Sequence, residues 1–431
     1  MAFNQKQAGY LKDYINLEIK DAEKQIKQMN LKLKEKKLNS NRVRKKQENT
    51  RNIIEQKQFE SEQQQKNKFN EEEFNYGEKK KSIHITKTYN VFWTQVKDDD
   101  NWKPESREGG SLVQQDRFLV LYGGIGKQFL DQVAYFDLMR FQWEKKTNPQ
   151  IGEVQPDKGR RGMTTNIHKD KIIYFGGEKR YNDQLKIRQC YLDFKQYDFG
   201  KNQWSVLKLD QFSSMVIARR DHCTVNISSK YLFYYGGIDS NGKYITEPQI
   251  LNLETLKNYN VELQVAQKSK AKIMPVAYFT MKAIFKSEFT LEKIYTPIQF
   301  KKYSIKQPVK EEGIYIFGGK NENGKANNYL HIIKPGQAPY IYDRLVPEGQ
   351  PPEARYGHSM DYCHSLNSLV IYGGCNEDSS NVYFNDVHIL DLQYLLWCKV
   401  EVQGPQFSGR AMHCSTLVDD KIFIFGGIQI K

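Results

Sequence analysis

The chain has 431 residues, 39% of them hydrophobic and 13% aromatic, which at about 150 residues per domain allows one large domain or two or three ordinary ones. Its first residues, MAFNQKQAGY, contain no apolar run, and later apolar stretches are of strand length, far below the roughly 20 residues that span a bilayer. Its six cysteines show no CxxC spacing. These features disfavour secreted, membrane-spanning and zinc-binding proteins and predict a cytoplasmic protein with reduced thiols.

The charge is unevenly distributed. Lys and Arg number 65 against 51 Asp and Glu, a formal net charge of +14, and residues 1–82 carry 20 basic and 13 acidic side chains. Half of the excess therefore lies in less than a fifth of the chain. Such a balance favours acidic partners, among them nucleic acid, acidic protein tails and tubulin-like polymers.

Residues 1–81 are predicted to form a charged, helical, short coiled-coil extension, because no Gly or Pro occurs between Tyr10 and Tyr76. Residues 32–51 hold nine basic and two acidic side chains, and residues 55–78 hold seven acids and three lysines, as in an interaction arm. A solvated helix without a partner is the alternative. Apolar residues at coiled-coil spacing form the predicted interaction seam: Ile15, Ile19, Ala22, Ile26, Met29 and Leu33.

Beyond residue 82 the chain contains an internal repeat. A short strand ending in an aromatic residue and two glycines occurs six times: LVLYGG, IIYFGG, LFYYGG, IYIFGG, LVIYGG and IFIFGG, ending at Gly124, Gly177, Gly237, Gly319, Gly374 and Gly427. The intervals are 53, 60, 82, 55 and 53 residues. Four of them are close to the roughly 50-residue period of a four-stranded propeller blade.

Further elements recur in register with the glycine pairs. A second strand with Asp or Asn follows four of them, as in VAYFDL and VHILDL. A large aromatic residue comes next: Trp143, Trp204 or Trp397, with Tyr259 and Tyr340 or Tyr342 as weaker substitutes. Arg-x-x-His precedes three glycine strands, at residues 219–222, 355–358 and 410–413, with degraded copies at 160–163 and 107–110. Together these elements resemble the kelch repeat, and the resemblance covers residues 82–431.

The resemblance implies an all-β, six-bladed kelch β-propeller over residues 82–431. The sequence ends just after the sixth glycine pair, whereas residues 82–96 offer two strands and Trp93 with no glycine pair before them. We therefore expect strands from both ends of the chain to complete one blade, which leaves the circular sheet without an open edge.

The fourth blade departs from the repeat. It lacks Arg-x-x-His, and its long interval predicts a surface insertion at about residues 286–312. Residues 264–312 contain ten lysines and four acids. A basic flap on the disc is one interpretation, and an unselected insertion is the other.

Arginine recurs at the start of the innermost repeat element. The kelch resemblance implies that such arginines can face the mouth of the central channel and bind acidic side chains of a protein partner. Their alternative role is to satisfy backbone carbonyls between blades. The candidate partner-binding residues are Arg107, Arg160, Arg219, Arg355 and Arg410.

No pattern predicts an enzyme. His222, His358 and His413 recur at one repeat position and hence belong to different blades, as structural histidines do. The sequence lacks His-x-His, His-Glu-x-x-His, CxxC, Gly-x-Ser-x-Gly and phosphate-loop motifs. We expect no catalytic residue, no metal site and no cofactor.

The favoured function is a non-enzymatic scaffold. The propeller face is predicted to bind a protein partner, and the N-terminal helix to dock to a larger cytoskeletal or ciliary assembly, because two sites on one chain allow bridging. A substrate adaptor of a ubiquitin ligase is the second hypothesis, although only about 81 polar residues precede the propeller. RNA or another polyanion bound by the basic arm is the third, although no aromatic side chains alternate with those lysines.

Overall fold

The computed structural model describes residues 87–96, 102–146, 159–285 and 311–429, except 180, 183, 185, 337, 380 and 381. All of them lie in one of two units of the chain, Ile85–Lys431. The predicted N-terminal helix with its seam, and nearly all of the predicted insertion, lie outside the described residues. Within the described ranges every regular element is a β-strand, and no helix has the length and apolar character needed to cross a membrane.

The strands form a β-propeller, and three of its sheets contain four strands in the order of the sequence. The first blade contains β2 (Glu108–Gln115), β3 (Phe118–Ile125), β4 (Ala134–Asp137) and β5 (Gln142–Lys145). The second contains β6 (Arg161–His168), β7 (Lys171–Glu178), β8 (Phe194–Asp198) and β9 (Gln203–Val206). The third contains β10 (Cys223–Asn226), β11 (Tyr231–Tyr235), β12 (Gln249–Asn252) and β13 (Lys257–Asn260).

Two further blades gain a fifth strand, and smaller sheets complete the set. The fourth blade contains β16 (Thr280–Ile284), β17 (Gly313–Phe317), β19 (Leu330–Lys334) and β20 (Tyr340–Leu345), with β14 (Leu263–Val265) outside β20. The fifth contains β21 (Ser359–Cys363), β22 (Ser368–Tyr372), β23 (Val387–Asp391) and β24 (Leu396–Gln403), with β1 (Thr88–Phe92) outside β24. β25 (Cys414–Val418) and β26 (Lys421–Phe425) form the C-terminal hairpin, and β15 (Val276–Ala277) pairs with β18 (Lys320–Asn321).

The core lies between adjacent sheets, so the glycine strands of the five blades are buried on both faces, whereas β26 of the hairpin is only half-buried. On β7, Ile172 and Tyr174 pack toward the first blade, whereas Ile173 and Phe175 pack toward the third. This two-sided burial explains why the glycine strands are continuous apolar runs rather than alternating ones. The outer strand supplies a large ring to the same space, and the Trp204 ring lies 5.2 Å from the Tyr174 ring.

The six glycine pairs form a closed ring. The amide N of the second glycine in each pair donates to the carbonyl O of a residue at the start of the next inner strand. These bonds are Gly124 to Arg160 (2.8 Å), Gly177 to Arg219 (2.9 Å), Gly237 to Val276 (2.8 Å), Gly319 to Arg355 (2.9 Å), Gly374 to Arg410 (2.8 Å) and Gly427 to Arg107 (2.8 Å). The last bond joins the C-terminal hairpin to the first blade.

Side chains close the same junction. The rings of Trp143 and Phe425 lie 5.0 Å apart, across the contact between the first blade and the hairpin. The Trp204 and Tyr122 rings make the same contact between the second and first blades, at 4.9 Å. The hairpin therefore packs against the first blade as one blade packs against the next.

The predicted sixth blade built from both termini is not confirmed. β1 pairs in parallel with β24, from Thr88 opposite Lys399 to Phe92 opposite Gln403. In the described part of the chain no strand pairs with the outer edge of β26. β1 lies on the edge of β24 opposite β23 and pairs with the part of β24 that extends past Cys398, the last residue paired with β23. The described residues thus give five blades of four or five strands and one hairpin.

Two weaker aromatic assignments are now resolved. On β13 the position opposite Leu251, which corresponds to that of the tryptophans, is occupied by Asn258, and Tyr259 is 40% exposed. The prediction that Tyr259 takes the place of the tryptophan is therefore wrong, because neighbouring residues of a strand face opposite sides of the sheet. On β20 the buried residue is Tyr342, and Tyr340 is only half-buried.

Replacement of Gly236 by Ala should destabilise the ring. Gly236 has a φ of +67°, and an added Cβ would lie 2.5 Å from the carbonyl O of Val276. Gly242, with a φ of +85° and nothing within 4 Å of such a Cβ, is the matched control. We expect Gly242→Ala to lower the free energy of unfolding by about 1 kcal/mol and Gly236→Ala by about 2 kcal/mol more, measured by urea denaturation. Equal losses would contradict the importance of close blade contact.

Candidate functional site

The five predicted partner-binding arginines occupy equivalent positions close to the ring. Four are at most 3% exposed, and Arg410 is partly buried. Each donates from Nη1 to the carbonyl O of the first glycine of its own blade: Arg107 to Gly123 (3.1 Å), Arg160 to Gly176 (3.0 Å), Arg219 to Gly236 (3.1 Å), Arg355 to Gly373 (3.0 Å) and Arg410 to Gly426 (3.2 Å). These contacts favour the carbonyl-satisfying role. Binding of a partner by these residues stays a prediction.

Additional acceptors hold several of these guanidinium groups. Arg355 donates to both oxygens of Asp386, at 2.6 and 2.9 Å. Although burial raises the pKa of Asp386, hydrogen bonds from Arg355 and His388 hold that pKa well below its ordinary value. Arg219 donates to Gln249 Oε1 at 3.1 Å, and burial lowers its pKa to about 10, so it remains charged at neutral pH.

The repeat histidines connect neighbouring blades. His413 Nε2 lies 3.0 Å from the hydroxyl of Ser359 on the preceding blade. His222 and His358 make the same contact with Thr164 and Thr280, at 3.1 and 2.8 Å. Burial, and then the nearby arginine, lowers the pKa of each of the three. Among the described residues no group of three or more His, Cys, Asp or Glu side chains is arranged to hold a metal ion.

A second backbone ring surrounds the axis two residues after the arginine position. Its members all have positive φ: Gly109 (59°), Gly162 (66°), Asp221 (54°), Tyr278 (57°), Gly357 (64°) and Met412 (56°). Neighbours are joined by hydrogen bonds, such as Tyr278 N to Asp221 O at 2.9 Å and Gly357 N to Tyr278 O at 2.8 Å. Side chains at such φ values are strained, so three non-glycine residues here mark a candidate site. We call the surface around this ring the mouth.

One half of the mouth is an ion-pair network. Glu178, which is fully buried, accepts hydrogen bonds from Arg161 at 3.2 Å and Arg188 at 3.1 Å, and its other carboxylate oxygen forms an ion pair with Arg220 at 3.0 Å. Arg220 also bonds to Asp221 at 2.7 Å. Burial alone lowers the pKa of Arg220, but the nearby acidic groups outweigh it and raise that pKa above its ordinary value. Arg188, at 56% side-chain exposure, is the arginine of this network that reaches solvent.

The other half is aromatic and apolar. The rings of Tyr278 and Tyr356 lie 5.9 Å apart, and Tyr356 packs in one cluster with Cys375 and Met412. The hydroxyl of Tyr356 donates to Glu377 at 2.7 Å. Beside this cluster Ile428, bridged to Ala411, is 37% exposed. The mouth therefore has a shielded floor and an exposed rim that contains Arg188, Glu377 and Ile428.

Sequence analysis missed the mouth residues. Several of them lie directly after the repeat arginine, as Arg161, Arg220 and Tyr356 do, or directly after the glycine pair, as Glu178 and Cys375 do. A signal was present, because these positions differ between repeats while the adjoining arginine and glycines recur. Their meeting around one axis was not visible, since they come from different blades.

Comparison with known proteins places this architecture in context. Residues 71–284 and 308–431 match the family model described as the KLHDC2/KLHL20/DRC7 Kelch-repeats domain. A solved structure titled "Structure of YjhT" aligns with a TM-score of 0.53 and 14% identity, covering 76% of this chain and 92% of that one. At this identity the likeness concerns the fold alone.

Curated relatives align over part of their length. The chain is 27% identical over 260 residues to Acyl-CoA-binding domain-containing protein 4 of Arabidopsis thaliana, which is 52% of this chain and 37% of that protein. It is 24% identical over 306 residues to Host cell factor of Drosophila melanogaster, 68% of this chain and 17% of that protein. It is 25% identical over 130 residues to Kelch domain-containing protein 3 of Homo sapiens, 30% and 33% respectively. The chain thus spans well under half the length of these relatives.

The buried histidines should make stability depend on pH. Burial and Arg410 lower the pKa of His413 from 6.5 to about 3, so between these values the unfolded chain binds a proton that the folded chain does not. Stability contributed by the neutral ring is present above pH 6.5 and is lost as the pH falls toward 3. We expect His413→Gln to reduce the slope of unfolding free energy against pH by up to about 1.4 kcal/mol per unit. Urea denaturation at several pH values measures it.

Ser359→Ala is the control for that experiment. It removes the hydrogen bond to His413 but leaves the imidazole in place. It should lower stability at every pH and retain the slope. An unchanged slope in His413→Gln would show that this ring does not remain neutral in the fold.

Proposed function

The chain belongs to the kelch-repeat family, as its glycine strands predicted, and we propose that it is a non-enzymatic scaffold whose mouth binds a protein partner. Kelch propellers generally serve protein interaction. The single observation that carries the proposal is the mouth itself, where a strained backbone ring supports a rim that combines a guanidinium, a carboxylate and an aliphatic side chain. Arginine and aromatic residues supply most of the binding energy in protein interfaces.

The chemistry of the mouth supports binding rather than catalysis. Burial raises the pKa of the Cys375 thiol to about 11, so at neutral pH it is protonated and a poor nucleophile. The acids of the ion-pair network are already occupied by arginines, as Glu178 is. A general base needs a group that is free to accept a proton from substrate.

We further propose that the N-terminal extension, residues 1–81, docks to a larger cytoskeletal or ciliary assembly while the propeller holds its partner. The support is the charge pattern and apolar spacing of that sequence. Cellular localisation of the full chain should be compared with that of a chain starting at Ser82. Identical localisation would count against the docking role.

A sixth blade, completed just before β1, is the architecture we propose for this scaffold. Trp93 lies 4.9 Å from Tyr372 of the fifth blade, as Trp397 lies 5.5 Å from Phe317 of the fourth. Trp93 N donates to Gln403 O at 2.9 Å, and Trp397 N donates likewise to Glu348 O at 2.9 Å. β1 thus occupies an outer-strand position relative to the fifth blade.

The sequence before β1 fits a third strand beside β26. His84 and Ile85 precede Trp93 by nine and eight residues, the same spacing by which His388 and Ile389 of β23 precede Trp397. The third strand of the fifth blade contains His388 and Ile389. An Ile85 strand would cover the edge of β26, whose Phe423 is only half-buried.

Ile85→Asp tests this closure. A carboxylate in a buried strand position should lower the free energy of unfolding by about 2–3 kcal/mol in denaturant titrations. Thr88→Asp, at an exposed position of β1, is the control and should change it by less than about 0.5 kcal/mol. If Ile85→Asp left the free energy of unfolding unchanged, Ile85 would not belong to a buried strand beside β26, and the proposed closure would be wrong.

Rim substitutions test the binding role. We expect Arg188→Gln combined with Ile428→Asp to abolish crosslinks to the partner in crosslinking mass spectrometry from the native cell. Arg140→Gln with Met139→Asp makes the same change in charge at exposed side chains, with Arg140 at 65% and Met139 at 75%, in the turn at the opposite end of the first blade. If the crosslinks were lost only in the control variant, or in neither variant, the partner would bind at a site other than the mouth.

A further inference from the structure

A basic groove lies on the fourth blade, between the segment that follows β14 and the end of β20. It encloses about 570 Å³. Lys268, Lys270 and Arg344 line it together with Asp343 and Val346. We call it the blade-four groove.

The walls of the groove are ordered by hydrogen bonds. Ala266 N donates to Tyr342 O at 3.0 Å, and Ser269 N donates to Ala266 O at 2.9 Å, so the lysine-bearing turn is fastened to β20. The Arg344 guanidinium lies over the Tyr329 ring, 3.9 Å from its centre. A cation held on an aromatic face loses little further freedom when it binds a ligand.

The groove has unneutralised positive charge. Lys268, Lys270 and Arg344 form no ion pair with any other described residue, and Asp343 is the one carboxylate that lines the groove. The Asp343 side chain accepts from the amide of Arg344 at 2.7 Å. A ligand with two or more carboxylates would therefore gain charge-assisted hydrogen bonds that nothing in the groove already supplies.

An apolar contact distinguishes among anionic ligands. Val346 is 80% exposed at the edge of the groove, and no aromatic side chain is among the lining residues. Single-stranded nucleic acid is bound through a basic track with stacking aromatics, which this groove lacks. A peptide that places an aliphatic side chain between acidic ones satisfies both the cations and Val346.

We propose that the blade-four groove is a second docking surface, which takes an acidic protein segment with an aliphatic residue among its carboxylates. It is independent of the mouth, so the two proposals succeed or fail separately. Its two lysines lie on the turn that follows β14, and Arg344 lies on β20.

The test is binding of a fluorescein-labelled peptide of Glu-Leu-Glu repeats to the full chain, followed by fluorescence anisotropy. The triple variant Lys268→Glu, Lys270→Glu, Arg344→Glu should weaken binding at least about tenfold. The control triple variant Lys201→Glu, Lys230→Glu, Lys399→Glu makes the same change in net charge at side chains that are 74%, 54% and 71% exposed. It should weaken binding less than about twofold.

Two further measurements decide the ligand class. Val346→Ser should weaken binding of the peptide about threefold and leave binding of oligouridylate unchanged. Equal losses in the two triple variants, absence of binding by the wild-type chain, no effect of Val346→Ser, or tighter binding of oligouridylate than of the peptide would each overturn the proposal. Thermal melting of every variant establishes that it remains folded.

Discussion

The structure depends on a cyclic set of backbone hydrogen bonds between glycine amides and carbonyls of the next blade. The six bonds are all 2.8 or 2.9 Å long, and they require neighbouring sheets to approach more closely than a side chain allows. A Cβ on Gly123 would lie 2.7 Å from Arg160 O, and one on Gly426 would lie 2.2 Å from Arg107 O. Glycine is therefore needed both for its positive φ and for its lack of a side chain.

The ring uses main-chain atoms, so it constrains some side chains and leaves others free. The recurring arginine is constrained because it returns a hydrogen bond to the glycine carbonyl of its own blade, as Arg219 does to Gly236. The residue that follows it, such as Arg161 or Tyr356, does not make this hydrogen bond, and its identity differs from blade to blade. A symmetric scaffold thereby supports an asymmetric mouth, charged on one half and aromatic on the other.

Packing between blades tolerates more variation than the ring does. Trp204 fills the wedge between the first two blades, whereas Asn258 occupies the equivalent position in the third and bonds to the Tyr234 hydroxyl at 2.7 Å. Asn258 is fully buried, and both polar atoms of its side-chain amide have hydrogen-bond partners. An asparagine in place of the tryptophan therefore leaves no buried amide without a hydrogen bond. Val276 and Phe279 similarly replace the arginine and histidine of the fourth blade, and the Val276 carbonyl still accepts its hydrogen bond.

The sequence by itself determined the glycine strands, their period, the wedge tryptophans and the kelch family, because each of these is a local pattern repeated along the chain. Tertiary structure alone decided that Asn258 rather than Tyr259 faces the core, since a shift of one residue reverses the face of a strand. It also decided that β1 adds to β24, and that Arg161, Glu178, Arg220 and Tyr278 meet at one mouth. These contacts join residues from different blades, and such residues become neighbours only when the ring closes.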